Sequence, residues 1–132
     1  MKPAAVLYAK DLHGLRAFYE AAFGLTAHAA ATDHVVLESA TFQLTLVRIP
    51  AAVAADIHID VPPRRREQVP VKLVFGIADI ALARQQWPAL GAAVDAPERE
   101  WDFAGTRVCD AVDPEGNVLQ LRSAGPQRSA AV

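Results

Sequence analysis

The chain has one cysteine, Cys109, in 132 residues. An intrachain disulfide is therefore excluded, and nothing argues for an oxidising compartment. With neither a His partner nor a helix N-terminus beside it in sequence, Cys109 reads as an inert buried thiol. No apolar stretch approaches the ~20 residues that a membrane span needs. The first residues lack the basic, apolar, small-residue order of a secretory leader, so a cytoplasmic protein is expected. Lys and Arg number 13 against 15 Asp and Glu, a near balance that gives no general pull toward nucleic acid. The one basic run, Arg64-Arg65-Arg66, is short, lies beside prolines and reads as a solvated loop. Histidine is sparse as well: His13, His28, His34 and His58 make no spaced metal pair. Phosphate loops, nucleotide fingerprints and nucleophile elbows are missing.

What is present is hydrophobic, 52% of the residues, enough for a sizeable core in a chain of single-domain size. It is also repeated. Asp11-Leu12 leads to Arg16, Phe18-Tyr19, Gly24 and then Phe42-Gln43-Leu44. Asp79-Ile80 leads to Arg84, Trp87, Gly91 and then Leu119-Gln120-Leu121. Residues 3–10 read as a strand, and Asp11 as the N-cap of a helix with apolar residues at spacings of three and four. Gly24 is placed to end that helix. Residues 28–38 and 42–49 read as strands joined by a short loop. Prolines punctuate residues 50–70, a connector in which 57–61 alternates well enough for an edge strand. The second half predicts a strand over 71–78 and a helix from Asp79 to about Leu90, bent or shortened by Pro88. Residues 92–106, with Trp101 and Phe103, read as irregular, and 107–112 as a strand. A turn at Asp113-Pro114-Glu115-Gly116-Asn117 then leads to a last strand over 118–122.

Asp11-Leu12, Phe18-Tyr19-Glu20 and Phe23-Gly24-Leu25 resemble the opening motif of the vicinal oxygen chelate superfamily. Residues 113–121, Asp-Pro-Glu-Gly-Asn-Val-Leu-Gln-Leu, resemble that superfamily's closing motif. Glyoxalase I, the fosfomycin- and bleomycin-resistance proteins and the extradiol dioxygenases belong to it. The resemblance covers residues 4–122 apart from the connector, and implies an α+β fold. Two βαβββ modules would form a curved mixed sheet around a cup, in one domain over residues 1–123. Module one would take 1–50, the connector 51–70 and module two 71–123, with 124–132 a flexible tail. The likeness also implies a homodimer.

Metal-dependent members take ligands from the first and last strands of each module. Carried over by offset from the helix-capping aspartates, those positions are Ala4, Gln43, Lys72 and Gln120. Alanine has no donor, lysine repels a cation, and two neutral amides are weak ligands, so neither a metal nor another cofactor is expected. Strand alternation puts Val6 and Tyr8 with Ala4, Thr45 with Gln43, and Arg122 with Gln120. Val74 goes with Lys72, unless a one-residue slip turns Leu73 and Phe75 inward instead. By family likeness Thr106, Val108 and Asp110 face the cup, while Arg107, Cys109 and Ala111 face away. Candidate ligand contacts are thus Tyr8, Gln43, Phe75, Trp101, Asp110 and Gln120.

Each has a structural alternative. Gln43 and Gln120 can bond each other, Tyr8 can fill core, Lys72 can hold its head in solvent, and Trp101 with Phe103 can anchor a loop. Trp87 reads as core, and His58, in the connector, is the one histidine with a candidate place at the cup mouth. The leading expectation is a metal-independent small-molecule-binding protein, with no nucleic-acid or membrane partner. The alternative is an enzyme of the same superfamily, resembling lactoylglutathione lyase or a dioxygenase-like lyase or isomerase. It would be metal-dependent or use Asp110 as a general base.

Overall fold

The structure is a computed structural model that describes residues 1–124; the tail expectation, from 125 on, lies outside the described residues. Strand β1 (Ala4–Ala9) leads into helix α1 (Leu12–Phe23). The Asp11 side chain caps α1 by accepting from the Gly14 amide at 3.0 Å. Gly24 closes it with a left-handed φ of 64°, which costs glycine nothing. β2 (Thr26–Ala30), β3 (His34–Glu38) and β4 (Gln43–Arg48) follow. The 28–38 stretch is thus a hairpin rather than one strand, broken by the polar bend at Thr32-Asp33.

The connector holds one short helix, α2 (Ala51–Ala54). Residues 57–61 form no strand; the connector's one β contact among the described residues is a lone bridge further on, between Arg66 and Asn117. Then β5 (Leu73–Gly76) and α3 (Ile80–Gln86) repeat the opening, with the Asp79 side chain accepting from the Leu82 amide. Pro88 lacks the amide that would continue α3, and a 3₁₀ turn (Trp87–Leu90) carries the chain to left-handed Gly91. β6 (Ala93–Val94), β7 (Trp101–Phe103), β8 (Thr106–Val112) and β9 (Val118–Ala124) complete the second half. The irregular stretch expected around Trp101 is therefore partly a strand. Ala104 and Gly105, at φ 48° and 77°, make the tight turn that pairs β7 with β8.

Both halves fold alike. One sheet runs β1-β4-β3-β2, the other β5-β9-β8-β6 with β7 added on β8. In each, the first strand pairs parallel with the last and the rest are antiparallel. This is an α+β fold of two βαβββ-like modules with mixed sheets. One face of each sheet meets the helices in a shared core that includes Leu15, Phe18, Leu44, Leu46, Trp87 and Leu121. Aromatic rings cross the module boundary. Phe23 of α1 stacks on Phe75 at 4.0 Å, and Phe18 meets Trp87 edge-on at 5.0 Å.

Polar contacts cross it too. The Tyr19 hydroxyl donates to Asp113 Oδ2 at 2.8 Å, and both residues are fully buried. The Glu115 carboxylate accepts the backbone amides of Lys10 and Asp11, each at 2.8 Å. Tyr19→Phe removes one hydrogen bond to a buried charge and should cost about 2 kcal/mol in urea unfolding at neutral pH. Burial, with Asp113 beside it, pushes the Tyr19 phenol well above its ordinary range. The native state then keeps a proton that the unfolded chain releases above about pH 10, so this contribution is whole below that pH and fades above it. Between about pH 9 and 11 the wild type should lose stability more steeply than Tyr19→Phe, which the same titrations read.

Candidate functional site

In the second sheet, Cys109 and Ala111 of β8 point into the core. Alternation sends Asp110 between them to the opposite, open face. The register sets Asp110 beside Gln120 and Val108 beside Arg122 on β9, with Trp101 of β7 on the other flank of Val108. The connector crosses this face and closes a cleft of about 580 Å3, lined among others by Arg65, Lys72, Asp95, Trp101, Asp110 and Val118. Its floor combines an indole and aliphatic side chains with two carboxylates, a mixture typical of small-molecule sites.

The charges are arranged unevenly. Arg65 grips Asp95 with two bonds of 2.6 and 3.0 Å, the fork-to-carboxylate geometry that fixes orientation. Lys72 Nζ lies 2.7 Å from Asp110 Oδ2, and an Arg65 terminal nitrogen lies 3.8 Å from the same oxygen. The other oxygen, Asp110 Oδ1, is buried and has no hydrogen-bond partner among the described residues. Behind Trp101, Glu100 is clamped between Arg84 and Arg107, and Arg107 also holds Asp102. Nearby, the Arg122 guanidinium sits 4.9 Å over the Phe103 ring while its Nε donates to Gln120 Oε1 at 2.8 Å.

The structure brings Asp110 and Trp101 together in the cleft and puts Gln120 beside Asp110 on the neighbouring strand. It sends the other expected contacts elsewhere. Phe75 lies on the helix side, stacked on Phe23, because the slipped register is not the one adopted: Val74 pairs with Gln120. Tyr8 is 62% exposed on the first sheet, neither core filler nor part of the cleft lining. Gln43 donates to Glu38 at 2.7 Å and Gln120 accepts from Arg122, so the two glutamines do not pair. Lys72 reaches the mouth of the cleft, paired with Asp110 while its side chain stays 43% exposed. Arg65, read as part of a solvated loop, is the ion-paired rim of the cleft. His58 lines a separate hollow beside the start of α1, in contact with Asp60. Cys109 is buried, and burial pushes its thiol up against the opposing pull of Arg84.

The residues at the superfamily's metal positions do not fit a metal. Ala4 has no donor atom, Lys72 is a cation paired to Asp110, and the Gln43 amide is engaged by Glu38. Among the described residues no three His, Cys, Asp or Glu side chains cluster as a metal site would need. The sequence reading missed Arg65 and Asp95. Asp95 directly follows β6, a strand of two residues whose alternation is too short to read.

Comparison with known proteins agrees with this architecture. Residues 4–122 match the family model described as a glyoxalase-like domain. No curated protein sequence matches the chain. Among solved structures, a glyoxalase/bleomycin resistance protein/dioxygenase family enzyme from Burkholderia phytofirmans PsJN is similar, with a TM-score of 0.66 and 15% identity. That match covers 92% of this chain and 97% of the other. A glyoxalase/bleomycin resistance protein/dioxygenase from Nocardioides matches with TM-score 0.60 and 15% identity, over 100% of this chain and 88% of that one. The lactoylglutathione lyase of Agrobacterium tumefaciens matches with TM-score 0.58 and 19% identity, over 93% and 92%. At these identities the structural likeness is one of fold.

The clamp behind Trp101 has a pH signature. Burial opposes the charge on Glu100, but the hydrogen bonds and charges of Arg84 and Arg107 outweigh it and hold the carboxyl below its ordinary range. A depressed carboxyl stabilises above its unfolded pKa of about 4.3 and ceases to as pH falls through the lower folded value. Glu100→Gln should therefore be less stable than wild type at neutral pH. The gap should narrow toward about pH 3, read as urea midpoints at the two pH values.

Proposed function

The chain belongs to the glyoxalase-like domain family, within the vicinal oxygen chelate superfamily, and on that premise we propose that it binds a small, largely apolar molecule in the cleft beside Asp110. The observation that carries this reading is Asp110 Oδ1, a buried acceptor without a partner among the described residues, in a residue that lines the cleft. An unmet acceptor at a buried site costs free energy that a ligand N–H or O–H would recover. Trp101 supplies a flat apolar wall for an aromatic body, and Arg65 and Lys72 fix the carboxylate from the other side. The expected partner is thus a neutral aromatic or conjugated molecule with one hydrogen-bond donor.

This reading is preferred over catalysis by Asp110 as base. The base role called for an apolar surrounding, and the actual neighbours are two cations. The reading extends to a homodimer. Its support is the open face of the first sheet, where Val6 and Tyr8 are 59% and 62% exposed. Light scattering on the eluting protein should then give twice the 14.1 kDa of one chain; the mass of one chain would remove the dimer and leave the cleft untouched.

Binding is tested by a melting and tryptophan-fluorescence screen of neutral aromatic amides and phenols. Hits should raise the melting temperature of the wild type. Asp110→Ala should weaken them by at least about tenfold while the variant stays folded. A panel without a hit, or hits indifferent to Asp110→Ala, counts against the proposal.

A further inference from the structure

Four charged groups meet in the cleft, flanked by Arg99, 4.0 Å from Asp95, and Glu67, 3.3 Å from Arg65, whose charges cancel. Asp110 comes from β8 and Asp95 from just past β6, while Arg65 lies in the connector and Lys72 just ahead of β5. The four sum to zero. Asp95 is held by both arms of Arg65, whereas Asp110 is held at a single oxygen by Lys72. Lys72 is also the loosest of the four. Its side chain is 43% exposed, against 24% for Arg65 and 15% for each aspartate, and its one charged contact among the described residues is Asp110.

A ligand group bonded to Asp110 Oδ1 would stand within a few ångströms of the Lys72 ammonium, because both would sit on one carboxylate. For a neutral donor this arrangement is favourable: the hydrogen bond forms and the charges stay balanced. For a cationic donor, attraction to Asp110 is offset by repulsion from Lys72 and, further off, from Arg65. Like-charge juxtaposition of this kind rejects one class of ligand without adding a contact to the other. Resting on the small-molecule reading above, we infer that Lys72 is a specificity-determining residue. It serves as the built-in counterion of Asp110, and it restricts the cleft to neutral donors by occupying the charge that a cationic ligand would need.

Removing the ammonium leaves the inner end of the cleft with one net negative charge and Asp110 exposed to new partners. Lys72→Met keeps the length and the apolar stem of the side chain, and the position precedes β5 and supports no core contact. The variant should fold as the wild type does.

The test uses two probes of the same shape and different charge, benzamide and benzamidine. Their dissociation constants are measured by amide chemical-shift titration of the whole protein. Wild type should bind benzamide at least as well as benzamidine. Lys72→Met should raise the ratio of benzamidine to benzamide affinity by about tenfold or more. Lys72→Arg, which keeps the positive charge, should retain the wild-type preference. Should the benzamidine-to-benzamide ratio be the same in Lys72→Met and wild type while Asp110→Ala still abolishes benzamide binding, the role of Lys72 falls and the binding site stands. Should neither probe shift the amides of Asp110 and Trp101 in any variant, both fall.

Discussion

The buried carboxylate of Asp113 accepts from the Tyr19 hydroxyl, from the Asn117 side-chain amide and from the backbone amides of Glu115 and Asn117, and both halves of the molecule are arranged around it. A carboxylate with no exposed surface is tolerated only when its lone pairs are met, and here one of the donors belongs to the other module. Burial pushes this carboxyl up, and the donors from Asn117, Tyr19 and the backbone oppose that shift. The turn around Asp113 is therefore complete only when α1 is docked. Glu115, two residues on, accepts the backbone amides of Lys10 and Asp11 where β1 gives way to α1. Docking the modules and forming the last turn are one event.

The same turn also places the connector. Gly116 accepts the Arg66 amide at 2.8 Å, and Arg66 bridges to Asn117. Gly116 has φ 86°, and a Cβ there would collide with the backbone carbonyl of Arg64. Glycine is required twice over, for the turn and for the approach of the connector. With Arg66 held, its neighbour Arg65 reaches Asp95, and further along Lys72 reaches Asp110. The geometry of the cleft thus descends from a turn that lies in the module junction. Ion pairs at partly buried positions add little net stability, but they orient groups. Here they hold Asp110 by one oxygen and leave the other for something else.

The framework could be read from the residues because its signals are local. Asp11 and Asp79 cap helices by bonding three residues ahead, Gly24 and Gly91 end helical segments by their left-handed backbone, and Pro88 stops a hydrogen-bond ladder. Each consequence lies within a turn of its cause. The β7 strand had a weaker signal in Gly105, between Trp101-Asp102-Phe103 and Thr106-Arg107-Val108, whose alternation is only three residues long on each side. The site was less legible. Asp110 was placed by likeness to the superfamily and Trp101 as an aromatic on an irregular stretch, but the face taken by Lys72 and Phe75 hinged on a one-residue register that only pairing with β9 decides. Arg65 and Asp95 are 30 residues apart, and nothing local links them.

Duplication explains the framework, and departure from duplication explains the cleft. Ala4 and Gln43 are direct neighbours in the first sheet, whereas in the second half Gln120 pairs with Val74, and Lys72, at the same offset from Asp79 as Ala4 from Asp11, lies just ahead of β5. In the first sheet Gln43 is tied to Glu38, which is tied to Lys2, and the face above them carries the exposed Val6 and Tyr8. The second sheet has what the first lacks. The connector crosses it, β7 extends it with Trp101, and a lysine, Lys72, stands just ahead of its first strand. A repeated unit supplies two equivalent open faces, and binding chemistry needs only one of them to be walled and charged. The chain distinguishes the two with one connector and a few side chains, and the helices, core and sheet order stay common to both halves.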